Sequence, residues 1–152
     1  MPIPPLDDAT GYLPAGDHQA TWTELVERFG GTYGRRQILQ GLRFVLDQLR
    51  NRGVTHAWID GSFVTDKPRP RDVDVLYDPP VDADVTTWGV MAPQRKKELK
   101  ELQRVDLWPH PSPQPPATGF GPPITLHDMW AIDRDGHLKG MIIMNLDEGE
   151  SG

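Results

Sequence analysis

The sequence predicts a single α/β domain over residues 1–152, built as a small mixed β-sheet with flanking helices. Between residues 35 and 52, apolar side chains recur with helical spacing, which is typical of one buried helix face: Ile38, Leu42, Val45, Leu46 and Leu49. Short β-rich segments follow at 54–59, 72–77 and 105–108. A chain of 152 residues with 37% hydrophobic and 25% charged residues is large enough for one domain with its own core.

The predicted helices have recognisable ends. Thr21 and Glu24 form a capping-box pattern at the start of a short helix over residues 22–29. Gly53 is suited to end the long helix. A basic helix is expected over residues 93–104, because a proline is favoured in the first turn of a helix.

The remaining segments predict extended or irregular structure. Residues 1–20 suggest an extended arm on the domain surface, and residues 109–123 form a Pro-rich surface loop, since seven of these fifteen residues are proline. Residues 129–146 suggest a β-hairpin with its turn at Asp135-Gly136. In the 72–77 strand, alternation places Val73, Val75 and Tyr77 on one face and Asp72, Asp74 and Leu76 on the other.

Composition excludes several classes of protein. The formal net charge of −6 argues against a protein that coats nucleic acid, so any such contact must be local. The absence of cysteine excludes disulfides, thiolate metal sites and cysteine nucleophiles, and it fits a cytoplasmic protein. No signal peptide and no membrane-spanning run is expected.

Two aspartates on one strand carry the strongest chemical indication. Asp72 and Asp74 project to the same side, roughly 7 Å apart along the strand, where two carboxylates repel each other. A divalent cation relieves that repulsion, and hard oxygen ligands favour Mg²⁺ or Mn²⁺. Asp106, on the next predicted strand, would complete the ligand set and hold a second metal ion for phosphoryl transfer.

Gly61-Ser62 follows the first predicted strand and suits a phosphate ligand. Glycine permits close approach of the backbone, and serine offers a hydroxyl and an N–H group. The connector between Ser62 and Asp72 supplies cations that could neutralise a leaving pyrophosphate: Lys67, Arg69 and Arg71.

This arrangement, GSFVTDKPRPRDVDV followed by VDLW, resembles the DNA polymerase β-like nucleotidyltransferase superfamily, especially its minimal bacterial members. The string WIDGSFVTDKPRPRDVDV is also similar to an uncharacterised nucleotidyltransferase-like domain of the toxin–antitoxin type, and LPAGDHQATWTELVERFG and LKGMIIMNL fit the same resemblance. The resemblance covers most of the chain and implies the polymerase β-like fold.

The resemblance also implies an activity, namely transfer of a nucleoside monophosphate from a nucleoside triphosphate to a hydroxyl of a protein or tRNA acceptor. Asp72, Asp74 and Asp106 would then be the catalytic and metal-binding residues, with Mg²⁺ or Mn²⁺ as cofactor. The residues expected to bind the nucleotide are Gly61, Ser62, Thr65 and Lys67. The alternative is an inactive nucleotidyltransferase-like binding module that acts with a cognate toxin or antitoxin, or in phage defence.

Other features have a plain structural interpretation that competes with a functional one. Asp60 could support the metal ligands without binding the metal ion itself, but the favoured interpretation is that Asp60 belongs to a strand-end turn. The basic run 95–104 could contact tRNA or an acidic partner, but a solvated helix face is favoured. Residues 133–136 are read as a turn rather than a calcium loop, and His127-Asp128 as the start of a helix or strand rather than an acid–base pair.

Overall fold

The computed structural model describes residues 3–116 and 118–147, which form one five-stranded sheet and four α-helices. The strands are β1 (Gly16–Gln19), β2 (His56–Asp60), β3 (Val73–Tyr77), β4 (Val105–Pro109) and β5 (Gly140–Asn145). The helices are α1 (Trp22–Phe29), α2 (Tyr33–Asn51), α3 (Lys96–Gln103) and α4 (Leu126–Trp130). None of these helices is both long enough and apolar enough to cross a membrane.

The sheet is mixed, with strand order β1-β5-β2-β3-β4. Strand β2 runs antiparallel to both of its neighbours, β3 and β5, whereas the β1–β5 and β3–β4 pairs are parallel. The predicted small mixed α/β fold is therefore confirmed.

The core lies between one face of the sheet and α2. The apolar stripe predicted for α2 is buried, and it packs in one cluster with residues that alternate along the strands, among them Ala57, Ile59, Val73, Val75, Tyr77, Leu107, Ile142 and Met144. Alternation along β3 therefore follows the prediction, with Val73, Val75 and Tyr77 facing the core. The side chains of Asp72 and Asp74 consequently belong to the other face.

Local sequence explains the helix starts. Thr21 and Glu24 make both hydrogen bonds of the capping box that begins α1. Helix α2 begins at Tyr33 because the Thr32 hydroxyl accepts the N–H of Arg35. The predicted basic helix splits into a 3₁₀ turn, Pro93–Arg95, and the α-helix α3.

Two expectations about the ends of the chain need correction. The arm over residues 1–20 is not wholly a surface feature, because it contains edge strand β1 and the buried side chains of Ile3 and Leu13. The expected hairpin over residues 129–146 is wrong: β5 pairs with β1 and β2, and only an isolated bridge joins Ile132 to Leu138. The turn at Asp135-Gly136 does form, with φ of 84° at Gly136.

The segment that follows β4 covers part of the second sheet face. Trp58 contacts His110 and His127 from this segment, with ring centroids 5.2 and 5.5 Å apart. Leu76, the register partner of Trp58, is fully buried. Within the Pro-rich loop a single bridge pairs Gln114 with Ile124, and the neighbouring described residues are mostly exposed.

Candidate active site

Three aspartates from three adjacent strands stand side by side on the sheet face that α2 does not cover. Asp74 of β3 is the register partner of Asp60 on β2 and of Asp106 on β4. Residues directly opposite in neighbouring strands point to the same face, so the three carboxylates form one cross-strand row. Asp72 precedes β3 and lies on the same side of it. The sheet therefore brings the predicted trio together and adds Asp60.

Burial shapes the charge of the two inner carboxyl groups. Desolvation, followed by the neighbouring charges of Asp106 and Asp72, raises the pKa of Asp74 to about 6, against the opposing influence of Lys100 and Lys139. Asp60 is 2% exposed, and burial raises its pKa to about 7 against the opposing influence of Lys139. Oδ1 of Asp60 is buried without a hydrogen-bond partner among the described residues. The row therefore contains a proton-holding group and an unsatisfied oxygen, which is a pattern common at functional sites.

Asp60 lies at the strand end, as expected, but it is the last residue of β2 and not part of the turn itself. The Asp-Gly pair does mark a turn, but the turn begins one residue later. Gly61 has φ of 86°, a conformation that disfavours any other residue.

The Gly61 backbone passes directly beside the Asp74 carboxylate. A Cβ atom at position 61 would lie only 2.9 Å from Oδ2 of Asp74. A 3₁₀ turn, Ser62–Val64, follows immediately. Glycine at 61 thus lets the backbone of the turn pass against the Asp74 carboxylate, where a side chain would collide with it.

A buried arginine shapes the loop after this turn. Arg35 of α2 is 8% exposed and forms no ion pair with a carboxylate of the described residues. Its guanidinium donates instead to the backbone carbonyls of Phe63 at 2.7 Å, Thr65 at 3.0 Å and Lys67 at 2.7 Å. One side chain therefore holds three alternate residues of the connector in place, which suits the planar fork of arginine.

The predicted nucleotide-binding residues lie in this loop, with different exposure. The Thr65 hydroxyl donates to the Ser62 carbonyl at 2.7 Å and accepts the N–H of Lys67, so it is engaged within the loop itself. The side chain of Lys67 is exposed, and none of Lys67, Arg69 and Arg71 forms an ion pair with another described residue. Gly61 lies beside Asp74 and Ser62 begins the 3₁₀ turn that follows it, whereas Thr65 and Lys67 belong to the connector that Arg35 holds.

Two lysines of α3 reach the acids from the β4 side. Nζ of Lys96 lies 2.5 Å from Oδ1 of Asp106. Nζ of Lys100 lies 3.6 Å from Oδ2 of Asp72 and 4.0 Å from Oδ2 of Asp106. The basic run is largely a solvated helix face, as favoured, but Lys96 and Lys100 also reach the acids.

The donor chemistry fits a divalent cation. Four carboxyl groups supply hard oxygen ligands, one of those oxygens is buried without a partner among the described residues, and the Gly61 backbone lies against Asp74. Asp72, Asp74 and Asp106 are the residues that would hold the ion. The carboxylate oxygens of these three aspartates do not all lie within 4.8 Å of one another. Nζ of Lys100 lies between the carboxylates of Asp72 and Asp106.

Two other clusters of ionisable side chains lie outside this row. Within the described residues, one exposed trio has ligand atoms all within 4.8 Å of one another: Asp133, Asp135 and His137. It forms the 133–137 turn, where Asp133 accepts two backbone N–H groups and the Tyr12 hydroxyl. His127 lies in the first turn of α4, at a helix start as expected, and its Nε2 lies 2.9 Å from Oδ1 of Asp17. Burial lowers the pKa of His127, but its bonds to Asp17 and Asp128 outweigh this, so the net shift is upward.

The sequence analysis missed Arg35, did not favour the supporting role that it considered for Asp60, and did not place Lys96 and Lys100 beside the acids. The position of Asp60 beside Asp74 depends on the register of β2 with β3. The hydrogen bonds of Arg35 to the connector depend on how α2 packs against that loop. Neither feature has a local sequence signature. The lysines did have one, because Lys96 and Lys100 are four residues apart and share a helix face directly before the strand that carries Asp106.

Comparison with known proteins places this chain in a family. A model described as a family of unknown function, DUF6932, matches residues 4–145, which include the acid row, the Gly61 turn and α3. Neither the curated proteins nor the solved structures give a significant match. Because the family model covers nearly the whole chain, this protein belongs to the DUF6932 family.

Proposed function

We propose that this protein is a divalent-metal-dependent nucleotidyltransferase, which transfers a nucleoside monophosphate from a nucleoside triphosphate to a hydroxyl of a protein or tRNA acceptor. The observation that carries the proposal is the row of carboxylates on β2, β3 and β4 beside the Gly61 turn. The polymerase β-like resemblance of GSFVTDKPRPRDVDV and VDLW supports the same reaction. A nucleoside triphosphate donor sets the reaction in the cytoplasm.

In the proposed reaction, the acceptor oxygen forms a bond to the α-phosphorus while the bond from that phosphorus to pyrophosphate breaks. Mg²⁺ or Mn²⁺ held by Asp72, Asp74 and Asp106 would supply neutralisation of the phosphate charge. Gly61 and Ser62 give the triphosphate a close approach to the backbone. Asp106, at the β4 end of the row, orients the acceptor hydroxyl and takes its proton on a carboxylate oxygen.

The first prediction tests this reaction through the acids of β3. Incubation with Mg²⁺, α-labelled nucleoside triphosphates and cell extract is expected to label a protein or an RNA. Asp72→Asn and Asp74→Asn should each reduce the labelling at least about a hundredfold, because an amide cannot replace a charged metal ligand. Asp8→Asn, at an exposed position in the N-terminal arm, is the matched control and should label like the wild type. Full labelling by a folded Asp72→Asn, Asp74→Asn double variant would refute the proposal.

A second candidate is a binding module without turnover, which acts with a cognate toxin or antitoxin. The ion pair of Lys96 with Asp106 favours it, since lysine can neutralise an acid row without a metal ion. Calorimetry separates the two candidates. Nucleotide binding without a labelled product in any extract supports the module, whereas a labelled product supports the enzyme.

A further inference from the structure

The basic run at the start of α3 divides into two groups with different partners. Arg95 pairs with Glu98 at 2.8 Å on the solvent side, and Lys97 is exposed. Lys96 and Lys100, four residues apart, both point to the carboxylates of Asp72 and Asp106. Residues four apart share one face of a helix, so α3 presents this face to the acid row.

The two lysines approach carboxylate oxygens that would bind a metal ion. Lys96 binds Oδ1 of Asp106, and Lys100 lies within 4.0 Å of Oδ2 of the same residue. Both oxygens of Asp106 are therefore approached by ammonium groups. A divalent cation bound by Asp106 competes with these ammonium groups for the same oxygens.

Lysine is suited to such an exchange because its ammonium group is a compact charge on a flexible four-carbon stem. The side chains of Lys96 and Lys100 are 31% and 45% exposed, so their tips lie at the mouth of the site. Lys96 also lies 4.1 Å from the ring centroid of Trp108, which keeps its ammonium group near the row even without Asp106.

We infer that Lys96 and Lys100 form the triphosphate-binding subsite, and that they exchange carboxylate oxygens for phosphate oxygens when a divalent cation binds the acids. The inference rests on the proposed function and names residues for its donor substrate. It assigns to α3 the phosphate contact expected of Lys67, Arg69 and Arg71, which form no ion pair with the described acids. The ligand class is a linear polyphosphate carried with its metal ion.

The test measures binding of two probes by calorimetry, Mn²⁺ alone and inorganic tripolyphosphate with Mg²⁺. Lys96→Met and Lys100→Met should each bind Mn²⁺ several-fold more tightly, because a competing cation is removed. Each should bind Mg-tripolyphosphate about tenfold more weakly, because a charge-assisted hydrogen bond is lost. Lys97→Met, the exposed neighbour on the same helix, is the matched control and should match the wild type for both probes.

Opposite shifts of the two affinities support the inference, and Lys96→Arg should keep tripolyphosphate binding close to the wild-type value. Tighter Mn²⁺ binding with unchanged tripolyphosphate binding would show that the lysines are only fixed counterions, and would overturn the inference while the proposed function stands. A wild-type protein that binds neither probe would overturn both. Near-ultraviolet circular dichroism of each variant checks folding, and the two lysines are tested separately so that one misfolded variant does not decide the result.

Discussion

Asp60 shows how burial can set the charge of a single side chain. Its carboxyl group is 2% exposed, accepts the N–H of Gly61, and leaves Oδ1 without a partner among the described residues. Desolvation favours the protonated form and Asp74 adds to it, and together they outweigh Lys139, the Gly61 N–H and His127, which favour the charged form. A proton is therefore retained there to about pH 7, in contrast to an ordinary aspartate.

The resulting prediction concerns stability against pH in the presence of a chelator. In the unfolded chain Asp60 loses its proton near pH 3.8, whereas in the folded protein its pKa is about 7. Stability supplied by this group is thus present at low pH and is lost as the pH rises from about 4 through 7. The shift sets an upper limit of about 4 kcal/mol.

Asp60→Asn removes this titration. Relative to the wild type, its free energy of unfolding should rise between pH 5 and pH 8, as measured by urea denaturation at both values. Asp8→Asn, exposed in the N-terminal arm, should follow the wild type throughout. The same difference between Asp60→Asn and the wild type at both pH values would contradict the assigned titration.

At the scale of elements, a glycine allows α2 and α3 to approach closely. A Cβ atom at Gly41 would lie 1.8 Å from the backbone carbonyl oxygen of Gln103, the last residue of α3. Arg104 then turns the chain with φ of 59°, and β4 begins at the next residue. The contact therefore fixes the helix that carries both site lysines, next to the strand that carries Asp106.

Gly41→Ala should reduce stability by about 1–3 kcal/mol, because backbone atoms must move to admit the methyl group. Gly34→Ala in the same helix is the control: a Cβ atom there has no neighbour within 4 Å. Alanine favours a helix over glycine, so Gly34→Ala should leave stability unchanged or raise it by up to about 1 kcal/mol. Urea denaturation of both variants measures the difference, and equal effects would show that the close approach of the helices is not what Gly41 provides.

The elements that could be predicted from sequence are those with strong local patterns. Helix α2 has a long apolar stripe, α1 has a capping box, and β3 alternates between core and acid positions. Strand β1 could not be predicted in this way, because its sequence GDHQ has no apolar alternation and its pairing comes only from β5, over 120 residues away. The expected hairpin failed for the same reason, since the partners of β5 are distant in sequence.

The candidate site was predictable only in part, at the scale of the whole molecule. Asp72 and Asp74 could be placed on one face by alternation alone, and Asp106 by its strand. To place Asp60 in the acid row requires knowledge of the antiparallel register of β2 with β3. To place the α3 lysines beside Asp106 requires knowledge of how α3 packs next to β4. Tertiary packing thus brings the lysine charges of α3 and the buried Asp60 to the acids, and local sequence patterns do not predict these contacts.

The last prediction uses the whole molecule as the reporter of metal binding. A ligand that binds only the folded state stabilises it, by about 2.7 kcal/mol at a hundred times its dissociation constant. Protons compete with the metal ion at Asp74, whose pKa is about 6, so stabilisation by Mg²⁺ or Mn²⁺ should be larger at pH 8 than at pH 5. The metal-dependent part of stability then rises with pH, opposite to the trend without metal.

Thermal unfolding with and without Mn²⁺ at the two pH values measures this effect, and two variants locate it. Asp74→Asn should abolish the metal-induced rise in Tm, because it removes a ligand from the acid row. Asp135→Asn alters the exposed trio of Asp133, Asp135 and His137 and should keep the full rise. Loss of the rise in Asp135→Asn but not in Asp74→Asn would place the ion in the 133–137 turn, and would remove the acid row as the metal site of the proposed reaction.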